Sequence, residues 1–294
     1  MLSAHKIATH VAEMVGESAT IVRPDLLVAF DRALSTERSE RGRWVLSQLI
    51  ENAEIARRDD VPICQDTGTV WVRLELGEGV HVTGDLGAEI DAAVERAYRM
   101  GGLRMSVVHD ALTDRTNTRS NTPVFVEIVH RAGEGATLYV MLKGAGSDNA
   151  SRLEMLSPDD GFDGVARTVL DVVNRKGSVA CPPLVIGVGV GSTFDRVAGL
   201  AKHALLRPIG EPNPSPELDA LERDLLAQVN ATGVGPGGLG GDITALAVHI
   251  ESAPCHIAAL PVAVNLGCSA SRWRVRHLDG DGVESSPTGE AGRA

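Results

Sequence analysis

Four cysteines, Cys64, Cys181, Cys255 and Cys268, stand far apart in the chain, and no two form a CxxC pair. That spacing excludes a zinc ribbon and a thioredoxin-type redox pair. A cysteine in apolar surroundings is ordinarily a small buried hydrophobe, but three of these have richer contexts. Cys64 lies in the loop Pro62-Ile63-Cys64-Gln65-Asp66-Thr67-Gly68-Thr69. A soft sulfur ligand there adjoins an amide, a carboxylate and a hydroxyl, which together can bond a carboxylate or move a proton. Cys181 precedes Pro182-Pro183, and two fixed φ angles make that turn rigid. Cys268 stands in Asn265-Leu266-Gly267-Cys268-Ser269-Ala270-Ser271-Arg272. Three separated loop cysteines suit a three-ligand metal site, although their long gaps carry no ferredoxin signature. A zinc site that adds His256 and a set of buried thiols remain open on the residues alone.

Two glycine-rich loops, Lys143 to Asn149 and Gly233 to Gly241, could bring backbone N–H groups to a bound anion or serve only as turns. The run Gly187 to Gly191 is an incomplete GxGxxG pattern, with Ser192 where the last glycine belongs, and an isolated match of that kind is weak. No GxxxxGK[ST] phosphate loop is present.

Helices and strands must position these loops. Apolar residues recur at helical spacing in Ser39–Ile55, within a helical N-terminal part from about Ser3 to Arg58. Further helices are expected at Ala88–Tyr98, Gly161–Lys176, Asp195–Leu206 and Glu217–Val229. Strands are expected at Val70–Leu76, Leu184–Val190, Thr244–Ile250 and Ala258–Leu266. Thr122–His130 and Thr137–Leu142 read as a hairpin around Arg131–Gly135. The fold class is therefore α+β (mixed α/β), as a single domain over residues 1–276 with a disordered Gly/Ser/Glu-rich tail over 277–294. The 294 residues carry a formal charge of −11, and such an acidic chain argues against a nucleic-acid partner. No signal peptide or membrane span is visible, so a cytoplasmic protein with reduced cysteines is expected.

Taken together and in order, the motifs ICQDTGT (63–69), LR (103–104), NTxxNTP (117–123), KGAGS (143–147), ACPP (180–183), RPIG (207–210), GLGG (238–241) and LPVAVN with CSAxR (260–272) resemble the class I, iron–sulfur fumarate hydratases and the related L-tartrate dehydratases. The resemblance implies a 4Fe–4S cluster held by Cys64, Cys181 and Cys268, around which the strands and helices form a buried site. It implies roles at the substrate for Gln65, Asp66, Arg104, Gly144, Gly146 and His256, with Asp66 and His256 as the catalytic pair. Cys255 falls outside the pattern and is expected to be a bystander thiol near the site. Single-chain members continue into a second domain, so the chain resembles the alpha subunit of the two-subunit branch. An αβ or α2β2 assembly with a separate beta subunit follows, in which the beta subunit supplies further proton-handling groups. Arg119 stands where single-chain relatives usually have glycine.

The expected reaction is reversible hydration of fumarate to malate, because KGAGS and the CSAxR ending look like the fumarase branch. L-Tartrate dehydration and mesaconate hydration are the alternatives for a small dicarboxylic acid. A different class, an iron–sulfur electron carrier or redox sensor, would need a fourth protein ligand, which Cys255 would have to supply.

Overall fold

A computed structural model describes residues 1–285. In chain order the elements are β1 (Leu2–Ser3), α1 (Ala4–Thr20), α2 (Pro24–Thr36), α3 (Glu40–Asp59), β2 (Thr69–Leu76), β3 (Val82–Thr83), α4 (Leu86–Met100), β4 (Phe125–His130), β5 (Ala136–Lys143), α5 (Ala145–Asp148) and β6 (Arg152–Leu156). They continue with α6 (Gly161–Lys176), β7 (Leu184–Ser192), α7 (Phe194–Ala204), α8 (Pro216–Ala231), β8 (Ala245–Cys255), β9 (Leu260–Gly267), β10 (Arg272–Leu278) and β11 (Glu284–Ser285). The class is α+β, as expected. The chain divides into two compact units. The first comprises Met1–Ile21, Ile55–Gly144 and the segment from Arg272 onward; the second comprises Val22–Glu54 and Ala145–Ser271.

In the first unit, alternation along β2 sends Val70, Val72 and Leu74 to one face of a five-stranded sheet ordered β11-β10-β5-β2-β4. Ile7, Val11, Met14 and Val15 of α1 and Ile90, Val94 and Tyr98 of α4 pack with these residues and with Leu138, Val140 and Leu142 of β5 in one core. The opposite face of β2 carries Arg73, paired with Glu75 and Glu127. The hairpin expected between β4 and β5 does not form. Both strands pair with β2 instead, β4 parallel and β5 antiparallel. Inserting β2 between them gives its backbone hydrogen-bonding partners along both edges. The tail expected from residue 277 also begins too early. β10 runs to Leu278 in register with β5, and β11 folds back on it. Arg276, mostly shielded, holds Glu13, Glu17 and Glu284 there. Residues 286–294 of the expected tail lie outside the described residues.

In the second unit a four-stranded sheet is ordered β6-β9-β7-β8. Val165, Val169 and Val173 of α6 and Leu225 and Val229 of α8 share a core with Ile186 and Val188 of β7 and Val262 and Val264 of β9. Val197 and Ala201 of α7 pack with Ala263 of β9 in a separate small cluster. Gly187 and Gly189 explain how α7 comes so close. A Cβ on Gly187 would stand 2.1 Å from the Ala201 carbonyl oxygen, and one on Gly189 2.4 Å from that of Val197. The alternating glycines of the GVGVG run therefore serve helix-on-strand packing, the close approach only glycine permits. β7 pairs parallel with β8 and antiparallel with β9, and that polarity decides which loops meet. Among the described residues no helix is long and apolar enough to cross a membrane.

Candidate functional site

The cysteine loop of the first unit is built from the backbone outward. Gly68, at φ +80°, fits against the Lys143 carbonyl, where a Cβ would stand only 2.6 Å away. Tyr98 is buried and donates its hydroxyl to the carbonyls of Thr67 (3.1 Å) and Gly68 (3.0 Å). Burial pushes that phenol's pKa well above its ordinary value, so it stays a donor. Asn121 is fully buried; it donates to the Gly68 carbonyl (3.2 Å) and accepts from the Ser106 N–H (2.7 Å). Thr67 donates to the Arg104 carbonyl at 2.8 Å. These bonds tie ICQDTGT, LR and NTxxNTP into one structure. They bring Gln65, Asp66 and Arg104, named from separate motifs, onto neighbouring backbone.

Within that loop Cys64 is partly exposed and its thiol donates to Gln65 Oε1 at 3.4 Å. Gln65 and Arg104 are exposed, whereas Asp66 is half-buried. Asp66 Oδ1 accepts the Gly68 N–H at 3.0 Å, an Asx-type bond that orients the carboxylate. Gly144 is buried beside it: a Cβ at Gly144 would lie 3.1 Å from Asp66 Oδ2. Arg119 has φ +59°, the left-handed conformation that glycine adopts without cost, so this arginine carries about 1–2 kcal/mol of local strain.

The second unit joins the other two candidate ligands through sheet polarity. Cys181 precedes β7 and Cys268 follows β9. Because these strands are antiparallel, with Val185 opposite Gly267, the start of one meets the end of the other. The Ser269 N–H donates to the Cys181 carbonyl at 2.9 Å. Cys181 itself is left-handed, at φ 57°, and the Pro182 carbonyl after it accepts the Gly237 N–H at 2.8 Å. Cys181 is exposed and Cys268 partly so. Gly146 lies exposed in the one-turn α5 of this unit.

Cys255 and His256 are elsewhere. Cys255 closes β8, which runs parallel to β7, and pairs with Ser192 at the far end of β7. At ~3.3 Å per residue, the nine-residue strand puts roughly 25–30 Å between it and Cys181. The expectation that Cys255 is a thiol near the site is thus overturned by strand direction. His256 shares that end, exposed, with its ring Nδ1 accepting the Ala258 N–H at 3.0 Å. The structure does not bring His256 to Cys181 or Cys268 within this unit.

Directly after the glycine loop 233–241 the backbone binds an anion, but the protein's own. Glu37, 2% exposed, accepts the N–H groups of Ser39 (2.8 Å), Asp242 (2.9 Å) and Ile243 (2.9 Å). Gly42 and Gly241 leave it room, since a Cβ on either would lie within 2.9 Å of its side chain. Glu37 and Tyr98 carry no motif signal; only the close pairing of distant backbone reveals them. Asn121 was present in the NTxxNTP motif.

Among the described residues, no three His, Cys, Asp or Glu side chains converge as a ready metal-ligand group. The donor chemistry nevertheless suits a soft metal centre. Cys64, Cys181 and Cys268 stand outside any disulfide and have accessible surface, two of them lie on loops bonded to each other, and thiolates select iron–sulfur centres over hard cations.

Comparison with known proteins agrees with this arrangement of motifs. The profile of a family described as fumarate hydratase (Fumerase) matches residues 8–276. The chain is 39% identical over 278 residues to the putative L(+)-tartrate dehydratase subunit alpha of Methanocaldococcus jannaschii, covering 93% of this chain and 98% of that protein. It is 31% identical over 270 residues to the L(+)-tartrate dehydratase subunit alpha of Escherichia coli K12, covering 91% and 89%.

Proposed function

The chain belongs to the fumarate hydratase (Fumerase) family and is a hydro-lyase, and from that premise we propose that it is the alpha subunit of a two-subunit, iron–sulfur-dependent enzyme acting on a small dicarboxylic acid. Cys64, Cys181 and Cys268 are the proposed ligands of a 4Fe–4S cluster. The observation that carries this reading is the junction of the Cys181 and Cys268 loops at one end of β7, through the Ser269 to Cys181 backbone bond. A cluster with three protein ligands supplies, when bound, an open iron with Lewis-acid character toward a substrate oxygen.

The chain's own residues then have distinct tasks. Arg104, exposed beside the Asp66 loop, is suited to a bidentate hold on a substrate carboxylate. Asp66, oriented by the Gly68 N–H, is the group in this chain placed to take or return a proton. Gln65 offers an amide to a substrate oxygen. Gly144 keeps side-chain bulk away from Asp66. The remaining proton-handling groups are assigned to the beta subunit, so the alpha chain alone should be nearly inactive. The enzyme is expected in the cytoplasm.

Reversible hydration of fumarate to malate is the first reading of the substrate, on the KGAGS and CSAxR forms. L-Tartrate dehydration is the second, favoured by the names of the relatives above. The test is an anaerobic assay of this chain, reconstituted with iron and sulfide and combined with its beta-type partner, on fumarate, mesaconate and L-tartrate. Fumarate turnover that stops in air supports the first reading. Turnover of tartrate alone moves the substrate and keeps the mechanism. No turnover of the three acids by a cluster-loaded complex overturns the dicarboxylate reading.

A further inference from the structure

The RPIG motif and the third candidate ligand are far apart in sequence, and one buried arginine at the start of α2 joins them. Arg23 stands before Pro24-Asp25. Pro24 opens α2 with a φ already suited to a helix, and the Arg23 carbonyl accepts the Leu27 N–H at 3.1 Å. The backbone of Arg23 is therefore fixed, and the residue is 6% exposed. Its guanidinium divides its donors between two tasks. Nε and Nη2 donate to the two oxygens of Asp25 at 2.9 and 2.8 Å, and Asp25 Oδ2 also accepts the Ile209 N–H of RPIG at 2.9 Å. Nη1 donates to the Ser271 carbonyl at 2.5 Å and to the Ser271 hydroxyl at 3.2 Å. A two-point carboxylate bond fixes the plane of the fork, so the remaining nitrogen is aimed at Ser271.

Ser271 ends the turn that begins at Cys268. Its N–H donates to the Cys268 carbonyl at 3.0 Å. Its φ of 32° is left-handed, a conformation that a residue other than glycine keeps when its surroundings impose it. The other side of the turn is tied by the Ser269 N–H on the Cys181 carbonyl. Residues 268–271 are thus bonded to the Cys181 loop on one side and to Arg23 on the other, all within the second unit. The bond from Arg23 is charge-assisted and shielded from water, which makes it the stronger kind of tie.

We propose that Arg23 is a positioning residue for the iron–sulfur site. Clamped by Asp25, it holds Ser271 so that the Cys268 backbone keeps the place from which its thiol serves as a ligand. This rests on the cluster reading above. It also gives RPIG a task, since the Ile209 N–H steadies the carboxylate that aims the clamp.

The experiment uses two readouts besides turnover. On the full chain without metal, anaerobic alkylation by iodoacetamide is followed cysteine by cysteine by mass spectrometry. On the cluster-loaded complex with its beta subunit, release of iron to a ferrous chelator is timed. Loss of charge-assisted bonds should speed both Cys268 alkylation and iron release about 10- to 100-fold in Arg23→Gln. Arg23→Lys keeps a charged donor but not the fork, so it should fall between wild type and Arg23→Gln. The control is wild type brought to the stability of the variant with urea. A Cys268 rate in that control equal to the variant's would mean general loosening and overturn the positioning role. Wild-type rates in the folded variants overturn it too. If Arg23→Gln fails to fold, Arg23→Lys and Asp25→Asn decide by the same comparison. A wild-type complex that takes up no iron and sulfide overturns the cluster reading instead, and the inference with it.

Discussion

The two ends of β7 each carry a cysteine, and the molecule treats them differently. At the start of the strand, Cys181 is held left-handed before two prolines, and its loop is bonded to the Cys268 loop and to the 235–243 loop. At the end, Cys255 is exposed and its thiol donates to the Ala259 carbonyl within its own turn. Next to it His256 and Ile257, the latter 93% exposed, stand in water. Cys255 is nearer to Cys268 in sequence than Cys181 is, yet the length of β9 lies between them. Strand direction decides which cysteines meet, and chain separation does not.

The largest expected effect strikes both ends at once. Gly189→Ala would drive a methyl to within 2.4 Å of the Val197 carbonyl. With the Val197 carbonyl oxygen and the Ala201 nitrogen both within 2.7 Å, α7 must shift, at about 3 kcal/mol. Chemical denaturation should show the loss, and an unchanged midpoint would mean α7 is not seated as described.

Glu37→Ala sharpens the contrast, because it acts on the start of β7 alone. It removes the acceptor of the Asp242 and Ile243 N–H groups beside the loop that bonds Pro182. Unmet donors cost about 1–3 kcal/mol, so thermal stability should fall by that order.

A pH series separates the middle of the sheet from its ends. Burial, with the nearby Arg207 charge, pushes the His249 pKa down to about 3. The folded state thus resists protonation that the unfolded chain accepts below its ordinary value of about 6.5. The stability is complete above that pH. It should drain by up to about 1.4 kcal/mol per pH unit as pH falls from 6.5 toward 3. His249→Gln should flatten that slope; an unaltered slope would assign the acid sensitivity elsewhere.

The smallest effect is expected at the far tip. Ile257→Gln replaces an exposed side chain and should change stability by less than about 0.5 kcal/mol. A larger loss would show that the Cys255 end is more built than it looks.

Much of this was legible in the sequence where the signal is local. Residue pattern placed α6, α8, β7 and β9, and the ordered motifs named Asp66 and Arg104 before any backbone bond tied them together. Pairing was not legible. Nothing in the stretch from Thr122 to Leu142 reveals that β2 will slip between β4 and β5, because both neighbours are apolar enough for either partner. The GVGVG run shows the same limit: its glycines answer a helix that arrives later in the chain, so a nucleotide-like pattern and a packing pattern look alike. Arg272 was visible as a motif letter, but its burial, with Nε and Nη1 unbonded, belongs to the fold.

The most direct test of the account is iron and acid-labile sulfide per chain after anaerobic reconstitution, compared between Cys64→Ser, Cys181→Ser, Cys268→Ser and Cys255→Ser. A three-thiolate 4Fe–4S site predicts about four irons and four sulfides per chain in the wild type, retained in Cys255→Ser and lost in the other three. Loss in Cys255→Ser, or full retention in Cys181→Ser or Cys268→Ser, would contradict it and bring the four-ligand carrier forward.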